Sequence, residues 1–181
     1  MLIEDDLTRF YEDLPEMLTE PLWITIGNFD GLHLGHQALL SRLKALAQAQ
    51  GAQSGMLTFW PHPRVFFQGI DGPFYLTTKS EKQELLKRSG LDLVITLGFN
   101  QAFADLSAEA FFDFLTSRIN LQGLVVGENF ALGKNRSGTL DVIQQLCAER
   151  GIQLEVFPPF NLDGEPVSSA RIRTALEKGD V

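Results

Sequence analysis

Two of the chain's three histidines, His33 and His36, stand directly behind Ile24-Thr25-Ile26-Gly27-Asn28-Phe29-Asp30-Gly31. That segment reads as a short apolar strand running into a glycine-punctuated turn, and a long helical stretch follows it. On a helix, a separation of three residues leaves two side chains within roughly 60° of each other. Gly35, between them, removes the Cβ that would keep a ligand off the backbone. A helix N-terminus offers unpaired N–H groups and the positive end of the dipole, so imidazoles placed there make a phosphate site. One rival reading is a plain helix start. The other is a metal pair, for which no third soft ligand lies nearby: the single cysteine, Cys147, sits far off in a helical segment.

A second anion site is written into Val167-Ser168-Ser169-Ala170-Arg171-Ile172-Arg173. Ser168 reads as a cap, and Arg171 and Arg173 then fall in or beside the opening turn of a helix. Cations there oppose the dipole, and a bound anion reverses the penalty while accepting guanidinium hydrogen bonds. Alternatively, the arginines point into solvent or pair with Asp163 and Glu165. Asp30 either shapes a tight turn or helps place magnesium or an incoming phosphate. Pro61-His62-Pro63 reads as a stiff turn, because prolines restrict both themselves and the residue before them.

The elements that must position these residues alternate. Short, nearly continuous apolar runs at Leu22 to Gly27, Gly55 to Trp60, Leu91 to Gly98, Leu121 to Gly127 and Ile152 to Pro158 have the pattern of parallel strands covered on both faces. Helical stretches at Gly35 to Gln50, Thr78 to Ser89, Ser107 to Asn120 and Thr139 to Arg150 lie between them, with Gly51, Gly90 and Gly151 just past helix ends. The expectation is a doubly wound, mainly parallel α/β sheet forming one domain over residues 1–181, with ligands at the carboxyl ends of its strands.

Composition narrows the classes. A net charge of −8 argues against a nucleic-acid backbone as the main partner. The absence of a long apolar run argues against a membrane span, and one cysteine fits a reducing cytoplasm. Gly127-Glu128-Asn129-Phe130-Ala131-Leu132-Gly133-Lys134-Asn135 imitates a P-loop, but it has five intervening residues where four are needed and ends in Asn where magnesium needs Ser or Thr. No Ser–His, Cys–His or paired-carboxylate arrangement points to hydrolysis.

Five blocks in order carry a resemblance. Gly27-Asn28-Phe29-Asp30-Gly31-Leu32-His33-Leu34-Gly35-His36-Gln37 resembles the first signature of the bacterial bifunctional riboflavin kinase/FMN adenylyltransferases, the FAD synthetases. The likeness continues through Thr58 to Pro63, Leu76 to Lys82, Val126 to Phe130 and Ser168 to Arg173. The resemblance implies an HxGH nucleotidyltransferase module that joins AMP from ATP to FMN, giving FAD and pyrophosphate with Mg²⁺. It implies catalytic roles for His33, His36 and Arg171. Nucleotide contacts would come from Gly27, Asn28, Phe29, Gly35, Asn129, Ser168, Ser169 and Arg173, and flavin contacts from His62, Pro63 and Asp30. It further implies a riboflavin kinase module, normally in the same chain, beginning about where these residues end. Ala170 stands where the family usually has threonine, Ala131 where it has arginine, and Trp60 where an acidic residue is commoner. Two alternatives stay open: an HxGH enzyme using nicotinamide mononucleotide, phosphopantetheine or a polyol phosphate, and a non-catalytic flavin- or nucleotide-binding module.

Overall fold

A computed structural model of the chain describes residues 8–71 and 74–180. In chain order its elements are β1 (Arg9–Tyr11), β2 (Leu18–Ile26), α1 (Leu34–Ala49), β3 (Gln53–Trp60), α2 (Pro63–Gln68), α3 (Lys79–Lys87), β4 (Leu93–Gly98), α4 (Gln101–Ala104) and α5 (Ala108–Thr116). There follow β5 (Ile119–Gly127), a 3₁₀ turn at Lys134–Arg136, α6 (Leu140–Glu149), β6 (Gln153–Phe157), the two-residue strands β7 (Asn161–Leu162) and β8 (Glu165–Pro166), and α7 (Ser169–Lys178).

Six strands form one parallel sheet in the order β1-β4-β3-β2-β5-β6. Alternate residues of each strand serve opposite faces, as the pleat requires. Leu22, Ile24 and Ile26 of β2 join Leu93, Ile95 and Leu97 of β4 in one core with Phe111, Phe112 and Leu115 of α5 and Ile143 and Cys147 of α6. Trp23, Met56, Val94 and Val125 point the other way, into a second core with Leu39, Leu40 and Leu43 of α1 and Leu86 of α3. The sheet is therefore doubly wound. From β2 the chain steps to β3 and β4 on one side, while β5 and β6 lie on the other. The strand order reverses between β2 and β5, which is where ligands sit in open α/β sheets.

Several boundaries differ from the sequence reading, each for a local reason. The expected strand at Leu22 extends back to Leu18, with its register shifting around Pro21. The segment Arg9–Tyr11 adds an edge strand too short and polar to show a period. The turn at Pro61-His62-Pro63 is also a helix start: Pro63 occupies the first position of α2, where its missing N–H costs nothing, and His62 is the cap. The helix expected to run to Asn120 stops at Thr116, because Ile119 is already drawn into β5 beside Leu18. Gly51 and Gly151 end α1 and α6 at φ 63° and 66°, a conformation that favours glycine.

Candidate active site

The turn after β2 is built under strain and held from three sides. Phe29 and Leu32 adopt φ of 48° and 38°, where side-chain-bearing residues are uncommon, and both side chains are buried. Asp30 between them is 4% exposed. Its carboxylate accepts from the Leu76 amide at 3.0 Å, the Thr77 amide at 3.3 Å and the Arg173 guanidinium at 2.6 Å. Its carbonyl accepts from Ser169 Oγ at 2.9 Å. One buried acid thus ties the turn to the bend before α3 and to α7. Such strain persists only where the surroundings over-determine it.

His33 is the cap of α1, one residue outside the helix. Its Nδ1 accepts from the His36 amide at 3.3 Å, so in the neutral ring the proton is on Nε2. Capping also turns the ring. Instead of lying one above the other along a helix face, His33 and His36 stack with centroids 3.6 Å apart and planes 19° from parallel. Phe29 covers His36 from the other side at 4.9 Å. A Cβ on Gly35 would come within 3.3 Å of the His33 ring, and one on Gly27 within 2.9 Å of Phe29. Gly35 thus leaves room for the His33 ring, and Gly27 for Phe29.

Burial pushes the His36 imidazole down to about 3, with His33 and then Lys82 adding to the effect. Burial also lowers His33, against the pull of Asp30. Both rings are neutral donors at pH 7 in the free chain. His36 Nδ1 is covered and has no partner among the described residues, an arrangement that native folds bear mainly at functional sites. The native state takes up this proton only near pH 3, whereas the unfolded chain takes it up from about pH 6.5. Acid therefore favours unfolding. The stability that His36 contributes above pH 6.5 drains away as pH falls, by about 2 kcal/mol at pH 5. Denaturant unfolding at the two pH values, with the His36 Cε1–H resonance followed by NMR, checks this.

The histidines open onto a cleft of about 510 Å³ at the reversal point, lined by both turn segments of the switch. That volume is in the range of small-molecule sites. Of the residues the sequence singled out, His33, His36, Gly27, Asn28, Phe29, Gly35, Asn129, Ser168 and Ser169 all line it. Ser168 caps α7, accepting from the Arg171 amide at 3.2 Å, so a second helix N-terminus borders the same cleft.

The other five residues lie elsewhere. Arg171 is at the rim, half-exposed, with Nη2 3.0 Å from Glu165 Oε2, which matches the ion-pair alternative. Arg173, grouped by sequence with the nucleotide, leaves the cleft wall for Asp30. Its Nε donates to the Phe74 carbonyl at 2.9 Å and its guanidinium lies 4.1 Å over the Phe74 ring. Asp30 acts as a staple with both oxygens engaged. His62 caps α2 through Nδ1, packs on Phe74 at 5.0 Å, and is pushed down to about 4 by burial and then by Arg173. Pro63 begins α2 beside it. The Asp30, His62, Pro63 and Arg173 group thus forms one neighbourhood around Phe74, adjoining the histidine cleft across the turn.

Some residues of the site were not picked out by sequence. Thr25 reaches the cleft from β2, with a covered hydroxyl that finds no partner among the described residues. Phe157, Pro158, Pro159 and Phe160 wall it from the end of β6. Lys82, which ends one of the resembling blocks without a role being implied for it, reaches the back of the turn from α3. Among the described residues no group of three His, Cys, Asp or Glu could hold a metal ion.

A parallel doubly wound sheet with two helix N-termini and two neutral imidazoles meeting at its reversal point places the chain among open α/β folds with a polar cleft at the strand ends. The chain belongs to the FAD synthetase family, whose model matches residues 16–171. It is 39% identical over 157 residues to the bifunctional riboflavin kinase/FMN adenylyltransferase of Pseudomonas fluorescens, covering 86% of this chain and 50% of that protein. It is 33% identical over 171 residues to the protein of the same name from Escherichia coli K12, covering 94% and 55%. The chain spans about half the length of these curated relatives. Among solved structures, a Streptococcus pneumoniae protein described as a macrolide-efflux protein is similar in fold, with a TM-score of 0.76 and 24% identity over 91% of this chain and 59% of its own. Francisella tularensis pantoate–β-alanine ligase is similar in fold at a TM-score of 0.57 and 13% identity, covering 96% and 77%. No helix among the described residues is long and apolar enough to cross a membrane.

Proposed function

We propose that this chain is an FMN adenylyltransferase, transferring AMP from ATP to FMN to give FAD and pyrophosphate. The observation that carries the reading is the stacked, neutral His33–His36 pair at the mouth of α1, facing the N-terminus of α7 across a cleft of nucleotide size. Family membership supports the acceptor. The phosphate of FMN, with a second pKa near ~6, is largely a dianion at neutral pH and can attack unaided. The protein must supply alignment and stabilisation of charge on the α-phosphate and the leaving pyrophosphate.

In this reading His33 and His36 donate to the reacting phosphate, and the amides behind Ser168 and Ser169 receive the outer phosphates. Gly27, Asn28, Phe29, Gly35 and Asn129 border the nucleotide. Arg171 exchanges Glu165 for the departing phosphates, a swap that costs little because an exposed ion pair is worth only about 0–1 kcal/mol. His62, Pro63 and the Asp30–Arg173 pair border the flavin. Mg²⁺ would enter with the ATP substrate and would offset charge on its phosphates. A cytoplasmic setting and a riboflavin kinase partner module, as in the relatives' name, belong to the same reading.

The test is incubation of the chain with FMN, ATP and Mg²⁺, with FAD followed by chromatography and pyrophosphate release measured in parallel. Stoichiometric FAD and pyrophosphate are expected. Pyrophosphate formed only with nicotinamide mononucleotide, phosphopantetheine or a polyol phosphate would transfer the assignment to another acceptor. Saturable flavin binding without pyrophosphate would make the chain a binding module.

A further inference from the structure

Helix α3 is mostly charged and exposed, yet Lys82 in its first turns reaches inward. Its Nζ donates to the Asn28 carbonyl and, at 2.8 Å, to Thr58 Oγ1. Thr58, 1% exposed, itself donates to the Asn28 carbonyl at 3.2 Å. Among the described residues no carboxylate lies within ion-pair distance of this ammonium. A covered cation with neutral partners only is costly, and folds keep one mainly where its charge has a use.

The use is visible from the other side of the turn. Asn28 lines the cleft, and its backbone carbonyl is gripped from behind by Lys82 and Thr58. The next residue is the strained Phe29, whose ring lies on His36. A change at the Asn28 peptide is therefore passed directly to the imidazole stack.

We propose that Lys82 is a positioning residue of the transfer site, locking the Asn28 peptide from behind and placing a fixed positive charge beside the His36 ring. The proposal rests on the adenylyl-transfer reading above. The charged and titratable groups that face this region are His33 and His36 from the start of α1, Lys82 from α3, Asp30 from the turn, His62 before α2 and Arg173 from α7. Burial lowers the ammonium to about 8, with Asp30 opposing, so it is still mostly charged at pH 7. After burial and His33, its field adds to holding His36 unprotonated in the free chain.

The experiment compares Lys82→Met, Lys82→Gln and Lys82→Arg with the parent chain. Lys82→Met is expected to lower kcat on the order of 10- to 100-fold, the size of effect that follows a displaced reacting group. KM for ATP should change less than about threefold, since the interaction is not with bound ground-state nucleotide. The His36 Cε1–H titration, read by NMR without substrates, should move to higher pH in both uncharged variants. Lys82→Arg should regain part of kcat and return the titration toward the parent. If the methionine variant does not fold, the glutamine variant carries the same comparison.

Unchanged kcat in a folded, uncharged variant would overturn the proposal. So would a loss of kcat with the His36 titration unmoved and no rescue by arginine, which would reduce Lys82 to a support of the fold. A parent chain that forms no FAD would sink the adenylyl-transfer reading instead, and the titration arm would still test Lys82.

Discussion

Replacing His36 by alanine is expected to lower FAD formation on the order of 100- to 1000-fold, the cost of removing one pre-organised donor from a developing charge. At pH 7 the fold should lose little. The side chain packs on His33 and Phe29, so its removal sacrifices some contact. It also removes a covered, unpartnered Nδ1, whose desolvation typically costs about 1–3 kcal/mol. These terms are of similar size and opposite sign. Between pH 7 and 5 the variant should also be spared the loss of about 2 kcal/mol that His36 imposes on the parent. Chromatographic assay of FAD, alongside urea unfolding at both pH values, reads all three effects. A variant that keeps parental turnover would remove the histidine pair from the mechanism. One that loses activity and stability together would make His36 a packing residue.

Asp30→Ala is expected to have the largest effect on stability, about 3–5 kcal/mol, the range for breaking a buried ion pair from one side. The side chains of Asp30 and Arg173 are only 5% and 15% exposed, and the carboxylate also holds the Leu76 and Thr77 amides. Its loss leaves a covered guanidinium and two covered N–H groups in search of water. The double variant Asp30→Ala/Arg173→Leu should recover part of that loss, because the stranded cation is gone. Activity should fall in both, since α7, which brings Ser168 and Ser169 to the cleft, has no buried residues of its own. It is moored to the turn by Ser169 and Arg173. Denaturant unfolding with FAD assay decides the matter. A loss under about 1 kcal/mol for Asp30→Ala would place the ion pair with ordinary exposed ones.

How much of this was legible beforehand depended on how local each signal was. Apolar runs of strand length between helical periods carried the doubly wound sheet, because burial on both faces leaves its mark residue by residue. The edge strand Arg9–Tyr11 left no such mark, being three residues paired to β4 and chosen by the neighbour rather than by its own pattern. The helix expected to reach Asn120 gave up its last residues where a strand competed for the same backbone, at Ile119.

The site divides the same way. His33, Gly35 and His36, the cap at Ser168, and the glycine turn are short-range devices whose residue types and spacing state their use. The destinations of Arg171 and Arg173 are not local. Two residues apart on one short helix, they diverge to Glu165 on the rim and to Asp30 143 residues earlier in the chain. The role of Asp30 was likewise open between a turn and a ligand until its partners arrived from Leu76 and Arg173. Lys82 ended a resembling block with no role implied for it, and only the packing of α3 against the end of β3 carries its ammonium behind Asn28. By itself, then, the sequence determined the sheet and the histidine turn, because these rest on periodicity, glycine and caps. Which charges neutralise one another and which are left facing the cleft was decided by the tertiary structure alone, since burial and pairing of charge depend on what folding brings alongside from distant parts of the chain.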